Sequence, residues 1–268
     1  MELAEKQELR RRVNLNKEWF RQLRIRRNLE RIIFRELVAV FRRWLSSTLF
    51  LYTEFGTYQN GVAQARLSEE LNPVLQRFYK RVFQTIIEGN IEMNEKKQAE
   101  EVFVFGRSII FEDLVASYFV TRDLILAGVS RVLAEKIDRI IQEGRADDLT
   151  LDQIARNVDR VLGPSISARA NLIARTETHS AASFANHTYY ETVADELDMT
   201  MKKKWIATGD ERTRDAHSAM NSKPYIDMDQ AFIVDGERMM YPGDSTNASA
   251  KNIVNCRCVV AYVDERDI

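Results

Sequence analysis

The sequence predicts an α+β protein: a long-helix N-terminal body followed by a compact C-terminal domain of one long helix plus a small, mainly antiparallel sheet. Two observations carry this. Apolar residues recur at three-four spacing through the first half, which is the period of a helix face packed against a core. After about residue 200 the pattern changes to short β-forming runs separated by turns.

The first helix is read from Leu29, Ile32, Ile33, Leu37, Val40, Phe41, Trp44, Leu45, Thr48, Leu49 and Tyr52, with arginines on its outer side. Asn72 followed by Pro73 is a good N-cap and first-turn pair. It leads into Val74, Leu75, Phe78, Val82, Phe83, Ile86 and Ile87, and Gly89 with Asn90 is expected to stop that helix. Residues 101–118 mix strand formers with helix-compatible residues and are read as mostly helix. Residues 121–142 form another helix, and Thr150 with Gln153 makes a capping box for a short helix ending at Gly163 and Pro164. That pair is the expected boundary between a region 1–164 and a domain 165–268.

Beyond it, Ser165 or Ser167 is expected to cap a long helix. Strands follow at Lys204–Thr208, Ala231–Val234, Arg238–Tyr241 and Ile253–Val263, with Asp235 and Gly236 turning the middle two into a hairpin. No internal repeat or low-complexity linker is visible, so the two parts are expected to pack together.

A 268-residue chain with 45% hydrophobic residues can build a sizeable core. No apolar run reaches the roughly 20 residues of a membrane span, and the opening MELAEKQELRRRV lacks an apolar signal region. The expectation is a protein that neither enters a membrane nor is secreted by that route. Two cysteines separated by one residue make a poor disulfide, which fits a reduced, cytoplasmic place of assembly.

Charge is unevenly distributed: residues 1–45 hold 13 Lys and Arg against 6 Glu, while the remainder is net acidic. Arg10, Arg11, Arg12, Arg21, Arg24, Arg26, Arg27 and Arg31 form a basic arm. Such an arm suits an acidic protein surface, the phosphates of packaged DNA, or plain solvation. Acidic residues interrupt the run and helical phasing spreads the arginines around the axis, so docking to a protein is the favoured reading.

An ordered set of short motifs occupies roughly the last 95 residues. It comprises Arg175, Thr176 and Glu177 on a helix; Trp205 on a strand; Asp210, Arg212, Thr213, Arg214, Asp215 and His217; Pro242; and finally Asn255, Cys256, Arg257 and Cys258. The set resembles the Mu-type minor head proteins, the phage head-morphogenesis family. The resemblance implies a structural virion component of a tailed bacteriophage at the portal vertex or capsid interior, assembled in the host cytoplasm. It also implies a low-copy protein with portal or other head proteins as partners and no established catalytic residues. Separately, long helices with apolar stripes and few caps need neighbours, so several copies in a symmetric assembly are expected, and the basic arm makes packaged DNA a further candidate partner. One departure is the loop SAMNSKPYI, where Asn221 and Ser222 replace a glycine-containing turn of the family. Asn tolerates left-handed backbone and can preserve such a turn.

Two chemical readings attach to these motifs. Cys256 and Cys258 on an extended strand would share a face, and with His217 and Asp215 they offer a donor set that zinc accepts. Cys-x-Cys is not a common structural zinc spacing, and two small buried hydrophobes are the favoured alternative, so no cofactor is expected. The alternating charges are read as a bracing network of Arg175, Glu177, Arg212, Arg214, Asp215 and Arg257, with Arg212 or Arg214 forking to Glu177. His179 and His187 read as ordinary helix residues. An enzyme of ADP-ribosyltransferase-like or toxin type is the rival class, on fold-level analogy alone. No glycine-rich phosphate loop supports it.

Overall fold

The computed structural model describes residues 2–95 and 111–268. Four long helices come first: α1 (Glu2–Phe55), α2 (Asn60–Glu95), α3 (Phe111–Ala146) and α4 (Leu151–Glu196). The rest is β1 (Met201–Ile206), α5 (Asp215–Ser218), β2 (Ile226–Asp227), β3 (Phe232–Val234), β4 (Glu237–Met239), α6 (Ala250–Ile253) and β5 (Val259–Asp264). The expected α+β class is present, with long helices first and a small antiparallel sheet last. Among the described residues no helix is long and apolar enough to cross a membrane.

The apolar stripe of α1 is buried almost as its period requires: Leu29, Ile33, Leu37, Val40, Phe41, Trp44, Leu45, Thr48 and Tyr52 are all inside, while Ile32 is exposed. The same holds in α2 from Val74 to Ile87. The expected helix stops do not hold. Pro73 lies inside α2, Gly89 and Asn90 are followed by further helix to Glu95, and Gly163 and Pro164 lie inside α4. An internal proline loses one backbone hydrogen bond and costs about 3 kcal/mol. Leu71 and Leu75 about Pro73, and Leu162 and Ile166 about Pro164, are buried on the same helices, so packing on both sides holds each helix through the defect. The capping box is where the sequence places it: the Thr150 amide donates to Gln153 Oε1 at 2.8 Å and the Gln153 amide to Thr150 Oγ1 at 3.3 Å. Ser165 does not cap a new helix; its hydroxyl donates back to the Leu162 carbonyl at 2.9 Å within α4. Of the segment 101–118, residues 101–110 lie outside the described residues and Phe111–Tyr118 open α3.

The chain forms two compact units. One gathers the described residues of Glu30–Tyr79 and Val115–Ala174. In it the Trp44 indole donates to the Ala63 carbonyl at 2.8 Å and the Tyr58 hydroxyl to the Ala134 carbonyl at 2.8 Å, while Tyr79 meets Tyr118 edge-on. The first bond pins α1 to α2 through an indole N–H that would be costly to bury unpaired, and the second ties the α1–α2 connection to α3.

The other unit gathers the described residues of Met1–Leu29, Lys80–Leu114 and Arg175–Ile268. Its axis is the second half of α4, where nearly every residue from Thr176 to Tyr190 is buried. Small residues make this possible: Ser180, Ala181, Ala182, Ser183 and Ala185 let neighbours approach the helix from several sides. Beside it, β1 is the centre of a three-stranded antiparallel sheet ordered β2-β1-β5, with Trp205 opposite Val260. The β3-β4 hairpin turns through Asp235 and Gly236, both at positive φ (52° and 78°), as the sequence predicts. A core of Trp205, Met220, Phe232, Val234, Met239 and Ile253 joins hairpin and sheet.

Candidate functional site

The motif residues converge at the loop between β1 and α5 and at the turn before β5. After β1 the chain bends through Thr208–Arg214, and Asp210 organises the bend. Its carboxylate accepts Thr213 Oγ1 at 3.0 Å, the Arg212 amide at 3.2 Å, and Arg257 Nη2 at 2.7 and 2.9 Å on its two oxygens. The Arg257 guanidinium, with Thr213 and Arg212, holds the Asp210 carboxyl down at about 2. Arg214 donates to the Val254 carbonyl at 2.6 Å. From α4, Thr176 Oγ1 accepts the Asn255 amide at 3.2 Å and Arg175 reaches Asn255 Oδ1 at 3.4 Å. Three motifs distant in sequence therefore clasp one turn.

That turn corrects one expectation. Asn255, Cys256, Arg257 and Cys258 do not belong to the closing strand, which starts at Val259. Asn255 has φ 58°, a left-handed conformation that Asn adopts more readily than most residues. The kink and the extended residues after it bring both thiols to one point. Cys256 Sγ lies 3.6 Å and Cys258 Sγ 3.5 Å from Nδ1 of His217, and all three residues are buried. The two thiols influence each other. Cys258 is held well below the ordinary thiol range by the Cys256 thiol and by His217, and Cys256 is pushed up by Cys258 and by burial.

The far nitrogen of the ring, Nε2, lies 3.2 Å from Asn252 Oδ1. Asn252 in turn donates through Nδ2 to Glu237 Oε2 at 2.7 Å, which also accepts the Ser249 amide at 3.0 Å. This orients the Asn252 amide and makes Nε2 the protonated nitrogen, leaving the Nδ1 lone pair toward the sulfurs. Asp215 is not part of the group: it is exposed at the start of α5. A small, solvent-open cleft reaches the three side chains and is otherwise lined by Thr208, Arg212, Thr213, Arg214, Asn255 and Arg257.

The other predicted residues are placed as follows. Arg212 and Arg214 do not fork to Glu177, because Asp210 and the Val254 carbonyl take them; Glu177 is buried in α4. Asn221 sits in a 3₁₀ turn (Ala219–Ser222) rather than in left-handed geometry, and its side chain accepts the Ala207 amide at 2.8 Å. His179 and His187 are buried. Burial pushes His187 down to about 3, with the Lys203 charge adding to it, and burial with the Arg26 guanidinium lowers His179 well below its usual value.

The basic arm divides. The side chains of Arg10, Arg11 and Arg12 lie outside the described residues, and Arg24, Arg27 and Arg31 are exposed. Arg21 and Arg26 face inward. Arg26 is 3% exposed and donates to His179 Nδ1 at 2.6 Å, to Gln22 and to Ser183. Arg21 joins Glu18 to Asn90 Oδ1 at 2.9 Å, and Asn90 continues to Asn186 at 2.7 Å. Sequence reasoning missed Asn252, Glu237, Gln22 and Asn186, since isolated amides and carboxylates carry no pattern by which to single them out.

Residues 133–261 match the family described as Phage Mu protein F like protein. The matched stretch takes in the motif residues from Arg175 to Cys258 that carry the resemblance. The chain is similar to the minor head protein GP7 of Bacillus phage SPP1, 32% identical over 137 residues, which is 51% of this chain and 42% of GP7. It is also similar to the NAD(+)--arginine ADP-ribosyltransferase EFV of Enterococcus faecalis (strain ATCC 700802 / V583), 33% identical over 131 residues, 49% of this chain and 26% of that protein. The matches span about a quarter and about two fifths of these two relatives. No solved structure matches the chain.

Proposed function

We propose that this protein is a structural minor head protein of a tailed bacteriophage, acting in head assembly at the portal vertex or capsid interior and in genome packaging or delivery. The observation that carries the reading is the family match over residues 133–261, together with the similarity to a phage minor head protein. The division of labour runs along the sequence: residues 165–268 supply the head-morphogenesis part, and residues 1–164 meet the partner. Exposed Arg24, Arg27 and Arg31 with Arg10, Arg11 and Arg12 dock on an acidic surface of the portal or another head protein, in several copies per particle. The test is mass spectrometry and averaged imaging of mature particles with and without the gene. A fixed copy number in wild-type heads and failed or aberrant heads without it are expected. Normal heads that lack the chain would refute the reading.

The similarity to ADP-ribosyltransferase EFV supplies a second reading, an NAD-consuming enzyme. Against it, Asp210, Arg257 and Arg214 are engaged in bracing a turn. NAD consumption by the purified chain with an arginine acceptor separates the two; none is expected, and turnover would favour the enzyme.

A further inference from the structure

We propose that His217, Cys256 and Cys258 bind a zinc ion through Nδ1 and the two sulfurs, with the fourth position open to the arginine-lined cleft.

The distances carry the proposal. A tetrahedral zinc ion at about 2.3 Å from sulfur and about 2.05 Å from nitrogen holds those donors roughly 3.5 Å apart. His217 Nδ1 stands 3.6 Å from one sulfur and 3.5 Å from the other. All three donor atoms lie within 4.8 Å of one another, so a single ion reaches them together. Two small buried hydrophobes would have no reason to aim both sulfurs at the same ring nitrogen.

The surroundings are those of a metal ligand. Asn252 fixes the far nitrogen of the ring, and Glu237 with Ser249 fixes Asn252, so the free lone pair of His217 is presented in one direction. Such outer hydrogen bonds orient metal-binding histidines and raise their basicity. The edge of the ring is packed against Trp205, with centroids 5.4 Å apart. Asn255, held by Thr176, and Arg257, held by Asp210, set the conformation on either side of Cys256. The unusual Cys-x-Cys spacing therefore works because the kink at Asn255, not a regular strand, sets the directions of the thiols.

Zinc suits a donor set of two thiolates and one imidazole, and three protein ligands leave a fourth position for water. Whatever thiol protons remain on the two cysteines are displaced to solvent as the Zn–S bonds form, with no change of oxidation state. The ion would tie the α5 end of the β1 loop to the turn before β5. The site stands independently of the chain's place in a phage head.

The test uses the full chain, reduced, incubated with zinc chloride and freed of excess metal. About one zinc per chain by elemental analysis is expected, with a higher thermal midpoint than after chelation and both thiols protected from alkylation. Cobalt(II) in its place should give the intense visible absorption of a tetrahedral thiolate site. His217→Gln and the double variant Cys256→Ser, Cys258→Ser should lose the ion, and Asn252→Ala should bind it about 10-fold more weakly or worse. Asp215→Asn, outside the cluster, should bind as wild type. The wild-type measurements decide the matter even where a ligand variant fails to fold. Substoichiometric zinc with no thermal shift, an octahedral cobalt spectrum, retention by the double cysteine variant, or another metal held in preference to zinc would overturn the proposal.

Discussion

Arg26, on the N-terminal helix, donates a 2.6 Å hydrogen bond to Nδ1 of His179 in the middle of α4. Both residues are almost wholly buried, and an arginine is always protonated, so Nδ1 must be the acceptor and the imidazole is neutral. The basic arm is thus anchored at one point in the interior of its own unit. Arg26→Ala leaves His179, Gln22 and Ser183 without this donor and opens a void. A loss of about 3 kcal/mol in urea unfolding is expected, against less than about 0.5 for the exposed Arg24→Ala. Equal effects would mean that the buried bond does not matter.

Acid sensitivity follows from His187, which lies between Tyr241 and Tyr262 with Lys203 nearby and titrates at about 3. The unfolded chain takes up a proton near pH 6.5 and the folded chain does not. This contribution is complete above pH 6.5 and is lost progressively as pH falls toward 3. The urea midpoint should therefore drop steadily from pH 7 to pH 4. In His187→Gln the slope should be visibly shallower, even though the variant starts from a lower midpoint at pH 7. His179, lowered by burial and Arg26, leaves a residual slope in that variant.

Asp210 is the hub of the clasp, so Asp210→Asn weakens the bonds to Arg257, Arg212 and Thr213 together. Amide hydrogen exchange in Val254–Cys258 should quicken while exchange in α4 stays unchanged. In the wild type the carboxylate is held at about 2, so its contribution persists above its ordinary range near 4 and disappears only as pH falls through 2.

Gly243 approaches α4 so closely that a Cβ would sit 2.7 Å from Ser180 Oγ and 3.0 Å from its Cα, at φ +88°. Gly243→Ala should cost well over 1 kcal/mol, because both the backbone and the space resist it. Gly236→Ala has a similar φ of +78° but open space, and should cost only about 1 kcal/mol. Similar thermal midpoints for the two variants would contradict the close approach.

The helices of the first half were legible because burying one face of a helix leaves a 3.6-residue period, and Ile33, Leu37, Phe41 and Trp44 obey it. The hairpin at Asp235 and Gly236 was legible because its turn needs residues that accept positive φ. Helix ends were not. Pro73, Gly89 and Pro164 are local signals, and contacts made along the whole helix outweigh them. Residues in one short motif, such as Asp210 and Thr213, could be expected to interact, but the partner of each could not be chosen.

By itself the sequence determined the α+β class, the helix faces, the hairpin and the motif order by which the phage head family is recognised. All of these are written in local spacing and residue type. Tertiary structure alone decided that Arg26 is a core residue rather than a docking one, that Arg257 binds Asp210, and that Cys256 and Cys258 meet His217. A polar or thiol side chain shows no periodicity; its partner is set by how the chain folds back, here through α4 and the left-handed turn at Asn255.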